Sequence, residues 1–391
     1  MKLTNITSHL PSWSLENKKV LVRIDGDVPL KNGSILDDTR LRGALPTLNL
    51  IKQKNGKIIL LTHIDRPTHQ EPELSTRILI SWFQKHGFSV TFAPNINTAN
   101  GIITNAASDI ILLENLRFYP EEQKQSQTFA KQLANLGDFY INEAFGTSHR
   151  NDTSMVLLPK EFPPNSRTIG LHCAQELTAL MRLKDNPERP FILILGGGKV
   201  KDKLPYIEYL LRLADNILLC PALVFTFMKA QGKKIGASCV ADDVLSTAKN
   251  ILQSDDARKL IFPSDYLVAQ DSFNGPLSII NATDFQKNLV GIAIGPRTTT
   301  QFTEIIQTAG TVFFNGPMGF KERKETREAS CALLAAMAKS PAYTMIAGGD
   351  SVETAMTCDI ANTINQLSTG GGACLAFLSD GLLPGLDFIL R

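Results

Sequence analysis

Cysteine is absent from the first 170 residues. The six present, Cys173, Cys220, Cys239, Cys331, Cys358 and Cys374, form no CxxC pair. That excludes a disulfide-rich scaffold, and the spacing does not suit a structural zinc site. The N-terminal stretch MKLTNITSHLPSW has no apolar core of the kind a secretory signal needs. The six thiols are therefore expected to be free in a reducing cytoplasm. No apolar run approaches the roughly 18 residues of a membrane span. Excess charge is missing too: 40 Lys and Arg stand against 38 Asp and Glu, a net +2, so neither a nucleic-acid nor a membrane surface is indicated. There is no low-complexity tract and no repeat of 20–50 residues.

With 391 residues, 43% apolar and 20% charged, the chain is long enough for two ordinary globular domains. Short runs rich in Val, Ile and Leu alternate with helix-period segments. Strands are predicted at 19–23, 57–62, 109–113, 138–142, 191–195, 216–219, 311–314 and 343–346. Continuous apolar runs of this kind fit strands buried on both faces of a parallel sheet. Leu41, Leu45, Leu48 and Ile51 have helix spacing, with Asp37 and Asp38 where a cap belongs. The repeated βα pattern predicts an α/β protein of two doubly wound, Rossmann-like parallel-sheet domains. Pro163-Pro164 and Asp185-Asn186-Pro187 bracket a helix-like stretch carrying Leu171, Ala174, Leu177, Leu180 and Met181. A helix between breakers suits an interdomain hinge. The expected division is 1–168, a linking helix at 169–188, a second domain at 189–378, and a tail at 379–391.

Glycine is unevenly spread, with 9 of 27 before residue 190 and 18 after. Three tracts stand where a strand or turn runs into a helix: Gly196-Gly197-Gly198-Lys199, Gly348-Gly349-Asp350-Ser351 and Gly370-Gly371-Gly372. Glycine lets backbone N–H groups close on a phosphate, and a helix N-terminus favours the anion. Lys199, Lys201 and Lys203 would oppose the helix dipole unless a polyphosphate sat among them. A lone tract would read first as a tight turn with solvated lysines; three in one half favour a phosphate site. Asp350 suits Mg²⁺ shared with phosphate oxygens; the plainer role is a cap on the next helix, and one carboxylate could do both. Glu322 could accept ribose hydroxyls, though by residue type alone it matches any surface glutamate.

The first half carries different chemistry. Arg23 and Asp25 end the first strand, His63 and Arg66 the second; Arg117 follows the third, and His149 and Arg150 the fourth. Any one of these would pass as a surface ion pair. Four strand ends with the same habit, at the edge where open α/β sheets bind ligands, point to a site for a small phosphorylated carboxylate. One half for polyphosphate and one for a small anion suggests phosphoryl transfer.

The motifs Asp37-Asp38-Thr39-Arg40, His63-x-x-Arg66-Pro67, Leu113-Glu114-Asn115-Leu116-Arg117-Phe118, Ala144-Phe145-Gly146-Thr147-Ser148-His149-Arg150, Asn315-Gly316-Pro317-Met318-Gly319, Gly348-Gly349-Asp350-Ser351 and Ser368-Thr369-Gly370-Gly371-Gly372-Ala373 resemble those of phosphoglycerate kinase. The likeness runs in order from about residue 12 to Phe388. The resemblance implies an N-terminal domain binding 3-phosphoglycerate or 1,3-bisphosphoglycerate through Arg23, Asp25, Asp27, Arg40, His63, Arg66, Arg117 and Arg150. It implies a C-terminal domain binding Mg-ADP or Mg-ATP through Gly197, Gly198, Lys199, Lys203, Asn315, Pro317, Glu322, Gly348, Gly349, Asp350 and Ser351, with Asp350 on the metal. Arg40, Lys199, Lys203, Gly371 and Gly372 would stabilise the migrating phosphoryl group. A cytoplasmic monomer whose tail folds back on the first domain is implied as well. Against the family pattern, Asp27 replaces an Asn, Gly26 a Phe and Asp65 a Gly. Cys220-Pro221-Ala222 replaces a glycine triplet of the adenine pocket, and Ala293 replaces an Asp. A non-catalytic nucleotide-binding relative is the alternative, and the presence of Arg40, Lys199, Lys203 and Asp350 favours the enzyme.

Overall fold

The structure is a computed structural model, and it describes residues 6–319, 323–381 and 383–390. The chain divides into two compact units, Met1–Thr178 with Leu382–Arg391, and Ala179–Gly381.

The first unit is built on six parallel strands: β1 (Lys19–Ile24), β2 (Lys57–Leu61), β3 (Val90–Ala93), β4 (Ile110–Leu113), β5 (Phe139–Glu143) and β6 (Arg167–Ile169), in the order β3-β4-β2-β1-β5-β6. Alternate residues feed two cores. Val20, Val22, Ile58, Leu60, Ile110 and Leu112 face one layer. Leu21, Ile59, Leu61, Ile111 and Leu113 face the other. Burial on both faces is why these strands read as unbroken apolar runs. β1 lies between β2 and β5, so the chain reverses direction across the sheet there and leaves a crevice at their carboxyl ends.

Helix α1 (Thr39–Gln53) follows β1 and buries Leu41, Ala44, Leu48 and Ile51. Asp38 is its N-cap residue but does not cap through its side chain. Its carboxylate instead takes Arg42 Nε and Trp82 Nε1, each at 2.8 Å, while Asp37 Oδ1 accepts the Thr39 N–H at 2.9 Å. Helix α2 (Leu171–Asp185) contains the division between the units. Its first turn is capped by Glu143, which accepts the His172 and Cys173 N–H groups at 3.1 and 3.0 Å. Gly385 from the C-terminal segment donates to Ser148 O and accepts from Asn142 Nδ2, at 2.9 and 2.8 Å.

The second unit repeats the plan with β7 (Phe191–Leu195), β8 (Asn216–Leu219) and β9 (Leu260–Ile261), then β13 (Thr311–Asn315), β14 (Tyr343–Ala347) and β15 (Gln366–Ser368), ordered β9-β8-β7-β13-β14-β15. Between β9 and β13 the chain forms a three-stranded antiparallel sheet of β10 (Asp265–Gln270), β11 (Leu277–Asn281) and β12 (Leu289–Ile294), an element absent from the predicted pattern. No single helix among the described residues is long and apolar enough to cross a membrane.

One expectation is corrected. Cys331 and Cys358 form a disulfide, with Cα atoms 5.5 Å apart. Cys173, Cys220, Cys239 and Cys374 form no disulfide. Cys331 lies in α5 (Lys324–Lys339), and Cys358 is the C-cap residue of α6 (Gly349–Thr357), which packs on it. The 27-residue separation carries no local signature, so only tertiary packing reveals the pair.

Candidate active site

In the first unit the carboxyl ends of β1, β2, β4 and β5 deliver a cluster of guanidinium and imidazole groups. Arg117 is nearly buried and donates Nη2 to Asp152 Oδ2 at 3.0 Å. Among the described residues its Nε has no hydrogen-bond partner, and neither do His63 Nε2 or His149 Nδ1. Arg150 is half-buried; burial and the neighbouring Arg117 hold its guanidinium pKa below the ordinary value. Buried polar atoms left open among crowded like charges make this a candidate anion site. Arg66 stands exposed at the rim.

Arg40, at the start of α1, is held on carboxylates. Its Nη1 lies 3.3 Å from Asp25 Oδ1, 2.8 Å from the Asp27 carbonyl oxygen and 3.7 Å from Asp27 Oδ2. Asp25 above all raises its pKa. Asp27 Oδ2 is 4.0 Å from His63 Nε2, beyond hydrogen-bond reach. Arg23 is placed differently from the other sequence-predicted ligands. It is fully buried, and its donors go to Ser154 Oγ, Ile24 O and His63 Nδ1 at 2.9, 2.5 and 2.8 Å. It reaches the anion site only through His63. Sequence reasoning missed Asp152, Ser154 and Glu122, which lie on later segments and are recognisable only by their contacts.

In the second unit the carboxyl ends of β7, β13, β14 and β15 carry the glycine tracts. Gly197, Gly316 and Gly348 adopt φ of +83°, +99° and +103°, which L side chains resist. A Cβ on Gly371 would lie 2.8 Å from Asn315 Nδ2 and 2.9 Å from Gly348 Cα, so two tracts meet only because both lack side chains. Gly198 and Gly349 face open space. Asn315 and Ser351 are buried and serve the loops: Asn315 Nδ2 donates to Ala347 O, and Ser351 Oγ accepts the Gly316 N–H, both at 2.8 Å. Gly371 and Gly372 open helix α7 (Gly371–Asp380).

Lys199 is exposed at the N-cap of the helix Val200–Leu213. Lys201 instead pairs with Asp243 at the surface, 2.6 Å away. Lys203 turns inward and donates to Gly196 O and to Asn315 O, the latter at 3.2 Å. Burial lowers its pKa to about 8.

A cavity of about 250 Å³ adjoins these loops, lined by Gly197, Gly198, Pro221, Ala222, Phe225, Phe273, Ile292, Pro317 and Asp350. Cys220 is not in its wall; it is fully buried in the core, with its Cβ against Gly196. The bulk at this face comes from Pro221 and Ala222, the latter at φ +68°. Glu322 lies outside the described residues. Among the described residues no group of three or more His, Cys, Asp or Glu is placed to hold a metal. Mg²⁺ needs only one or two carboxylates when phosphate oxygens complete its shell, and Asp350 in the cavity wall fits that role.

A doubly wound unit bearing a cationic anion site, and a second bearing a glycine nest beside an apolar cavity, define a two-unit α/β phosphotransferase architecture. The comparisons agree. The phosphoglycerate kinase family model matches residues 10–381. A phosphoglycerate kinase of Finegoldia magna is 37% identical over 390 residues, covering 97% of this chain and 98% of the relative. One of Chlamydia pneumoniae is 38% identical, covering 96% of each. The crystal structure of phosphoglycerate kinase from Pyrococcus horikoshii is 29% identical, with a TM-score of 0.84 over 97% of this chain and 98% of that one. The chain belongs to the phosphoglycerate kinase family. Membership makes it a kinase with a nucleotide and a small molecule as substrates.

Proposed function

We propose that the protein reversibly transfers the acyl phosphate of 1,3-bisphosphoglycerate to Mg-ADP, giving 3-phosphoglycerate and ATP. The observation that carries this reading is the first-unit cluster. Its buried open donors, His63 Nε2 and Arg117 Nε, stand beside guanidinium groups whose mutual repulsion a bound anion would relieve.

The acyl phosphate is a mixed anhydride, so no covalent enzyme nucleophile is needed. The reaction requires in-line placement and neutralisation of charge on the migrating phosphoryl. Arg117, Arg150, Arg66 and His63 would bind the phosphoglycerate. Arg40 is preformed on Asp25 and Asp27 and would turn its remaining donors to the phosphoryl oxygens. Gly197, Gly198, Gly348 and Gly349 leave backbone room for the nucleotide phosphates. Lys199 and Lys203, with the N–H groups of Gly371 and Gly372, would take up the developing charge. Asp350 would hold Mg²⁺, which neutralises phosphate charge when bound. Pro221, Ala222, Phe225 and Ile292 would enclose the base.

A monomer suffices, because each candidate site is built from one chain's residues. A cytoplasmic setting follows from substrates whose phosphates confine them to the cell interior. The test is hydroxylamine trapping. With ATP, Mg²⁺ and 3-phosphoglycerate, the protein should yield the hydroxamate of the glycerate carboxyl. Phosphoryl transfer to a product that resists hydroxylamine would overturn the assignment.

A further inference from the structure

Arg23 cannot touch a ligand, yet all three faces of its guanidinium are used. Nη2 lies 2.8 Å from His63 Nδ1, Nη1 donates to Ile24 O, and Nε donates to Ser154 Oγ at 2.9 Å. An arginine has five donors, no acceptor, and stays protonated in proteins. The contact with His63 is therefore possible in one sense only: Nδ1 carries the lone pair and accepts. The ring proton must then be on Nε2. An imidazolium is excluded as well, since its Nδ1–H would face a guanidinium N–H.

The guanidinium is itself fixed from behind. Ser154 Oγ accepts from Arg23, so its hydroxyl hydrogen is turned to Glu122 Oε1 at 2.5 Å, while the Ser154 N–H donates to Glu122 Oε2 at 2.9 Å. Glu122 is wholly buried. Burial pushes its carboxyl pKa up, and Arg23 pulls it down. The chain Glu122, Ser154, Arg23, His63 runs from core to site, with a buried carboxyl group and a buried guanidinium joined across a hydroxyl. At its end His63 Nε2 has no acceptor among the described residues.

Resting on the substrate reading above, we propose that Arg23 and Glu122 are positioning residues that fix His63 as the neutral Nε2–H tautomer, presenting a single hydrogen-bond donor to the bound phosphoglycerate. A histidine free to choose would present a lone pair to the anion part of the time and repel it. The surroundings keep the ring uncharged. Arg23 from β1, Arg117 and Arg150 from the loops after β4 and β5, and Arg40 from α1 all face it, and Asp27 Oδ2 at 4.0 Å is the nearby carboxylate. Burial first, and these four guanidinium groups after it, hold the ring well below the ordinary histidine pKa.

The experiment is long-range ¹H–¹⁵N spectroscopy of the full chain, with His63 assigned by the signal missing from His63→Gln. The expected spectrum is the Nε2–H tautomer from pH 5.5 to 8, with a shift on adding 3-phosphoglycerate. An Nδ1–H or imidazolium spectrum in that range would overturn the role of Arg23. An Nε2–H ring indifferent to 3-phosphoglycerate would overturn the substrate reading instead. Functionally, Arg23→Met with Glu122→Gln removes both buried charges together and leaves no lone carboxylate. KM for 3-phosphoglycerate should rise about tenfold, with the nucleotide KM little changed and His63 now titrating. A folded double variant with normal KM and an unchanged Nε2–H spectrum would contradict the proposal. Should it fail to fold, the wild-type spectrum decides alone.

Discussion

Asp27 Oδ1 accepts the backbone N–H of Asp65 at 2.8 Å, tying the loop after β1 to the loop after β2. Asp65 holds a left-handed backbone, φ +55°, where the family pattern has glycine, and its own carboxylate accepts the Arg66 N–H at 2.8 Å. Asp27 thus does two separable things: it orders this loop, and it lends negative charge to Arg40.

That separation gives opposite outcomes for two substitutions. Asp27→Asn keeps an Oδ1 for the Asp65 N–H and sheds the charge beside the anion site. KM for 3-phosphoglycerate should fall about threefold, within the ~1 kcal/mol scale of a part-exposed charge pair. Asp27→Ala loses the tie and should raise KM. Steady-state KM values for both variants check this; a rise with Asn would show that the charge itself holds Arg40 productively.

Lys203 sets a pH dependence on the nucleotide side. In the free protein its ammonium is lost as pH rises through about 8, well below the usual lysine range. A bound polyphosphate favours the charged form, so ADP binding should take up about half a proton at pH 8 and nearly one at pH 9. Affinity should weaken by up to about tenfold per pH unit above 8. Calorimetry in two buffers of different ionisation enthalpy measures the uptake, and Lys203→Met should abolish it. Heats that do not depend on buffer between pH 8 and 9 would contradict the assignment.

The proposed base cavity is walled mainly by Pro221, Ala222, Phe225, Phe273, Ile292 and Pro317; Cys239 and Asp350 are the polar side chains in its lining, a weak thiol donor and the proposed Mg²⁺ ligand. Proline also removes a backbone donor. Discrimination should be weak, with kcat/KM for ATP and GTP within about tenfold, roughly 1.4 kcal/mol. A hundredfold preference for ATP would mean that the backbone reads the base after all.

The Cys331–Cys358 disulfide closes a 27-residue loop. Loop-closure entropy alone gives about 3.5 kcal/mol for that length. Denaturant unfolding of the second unit, with and without dithiothreitol, should show a loss of that order, and Cys331→Ser with Cys358→Ser should match the reduced protein. A loss below about 1 kcal/mol would show that α5 and α6 are held by packing alone.

What the sequence made legible follows burial. β1, β2, β4, β5, β7, β8, β13 and β14 were foreseen within a residue or two because both faces are apolar. Val90–Ala93 was missed because its strand is short and mostly part-buried, and Leu277–Asn281 because it is largely exposed. The glycine tracts and strand-end cations marked the candidate site, since as a set they have few other roles. The direction of a side chain was not legible. Arg23 and Arg117 both end strands in sequence, but only tertiary contact with Ser154 shows that Arg23 points into the core. Phe225 and Ile292, which line the cavity, carried no sequence signal that set them apart from other apolar residues.

Everything proposed for the two sites comes down to transfer between ATP and the carboxylate of 3-phosphoglycerate, with Arg40 acting on the migrating phosphoryl. The most direct measurement is the initial rate of ADP formation with Mg-ATP and 3-phosphoglycerate, for wild type and Arg40→Ala. Turnover should need 3-phosphoglycerate and Mg²⁺. Arg40→Ala should lose about 10²–10³ in kcat with nucleotide affinity retained, the scale of one lost preorganised charge donor. Folded wild-type protein that binds nucleotide but shows no rate dependent on 3-phosphoglycerate would contradict it, as would an Arg40→Ala variant with normal kcat.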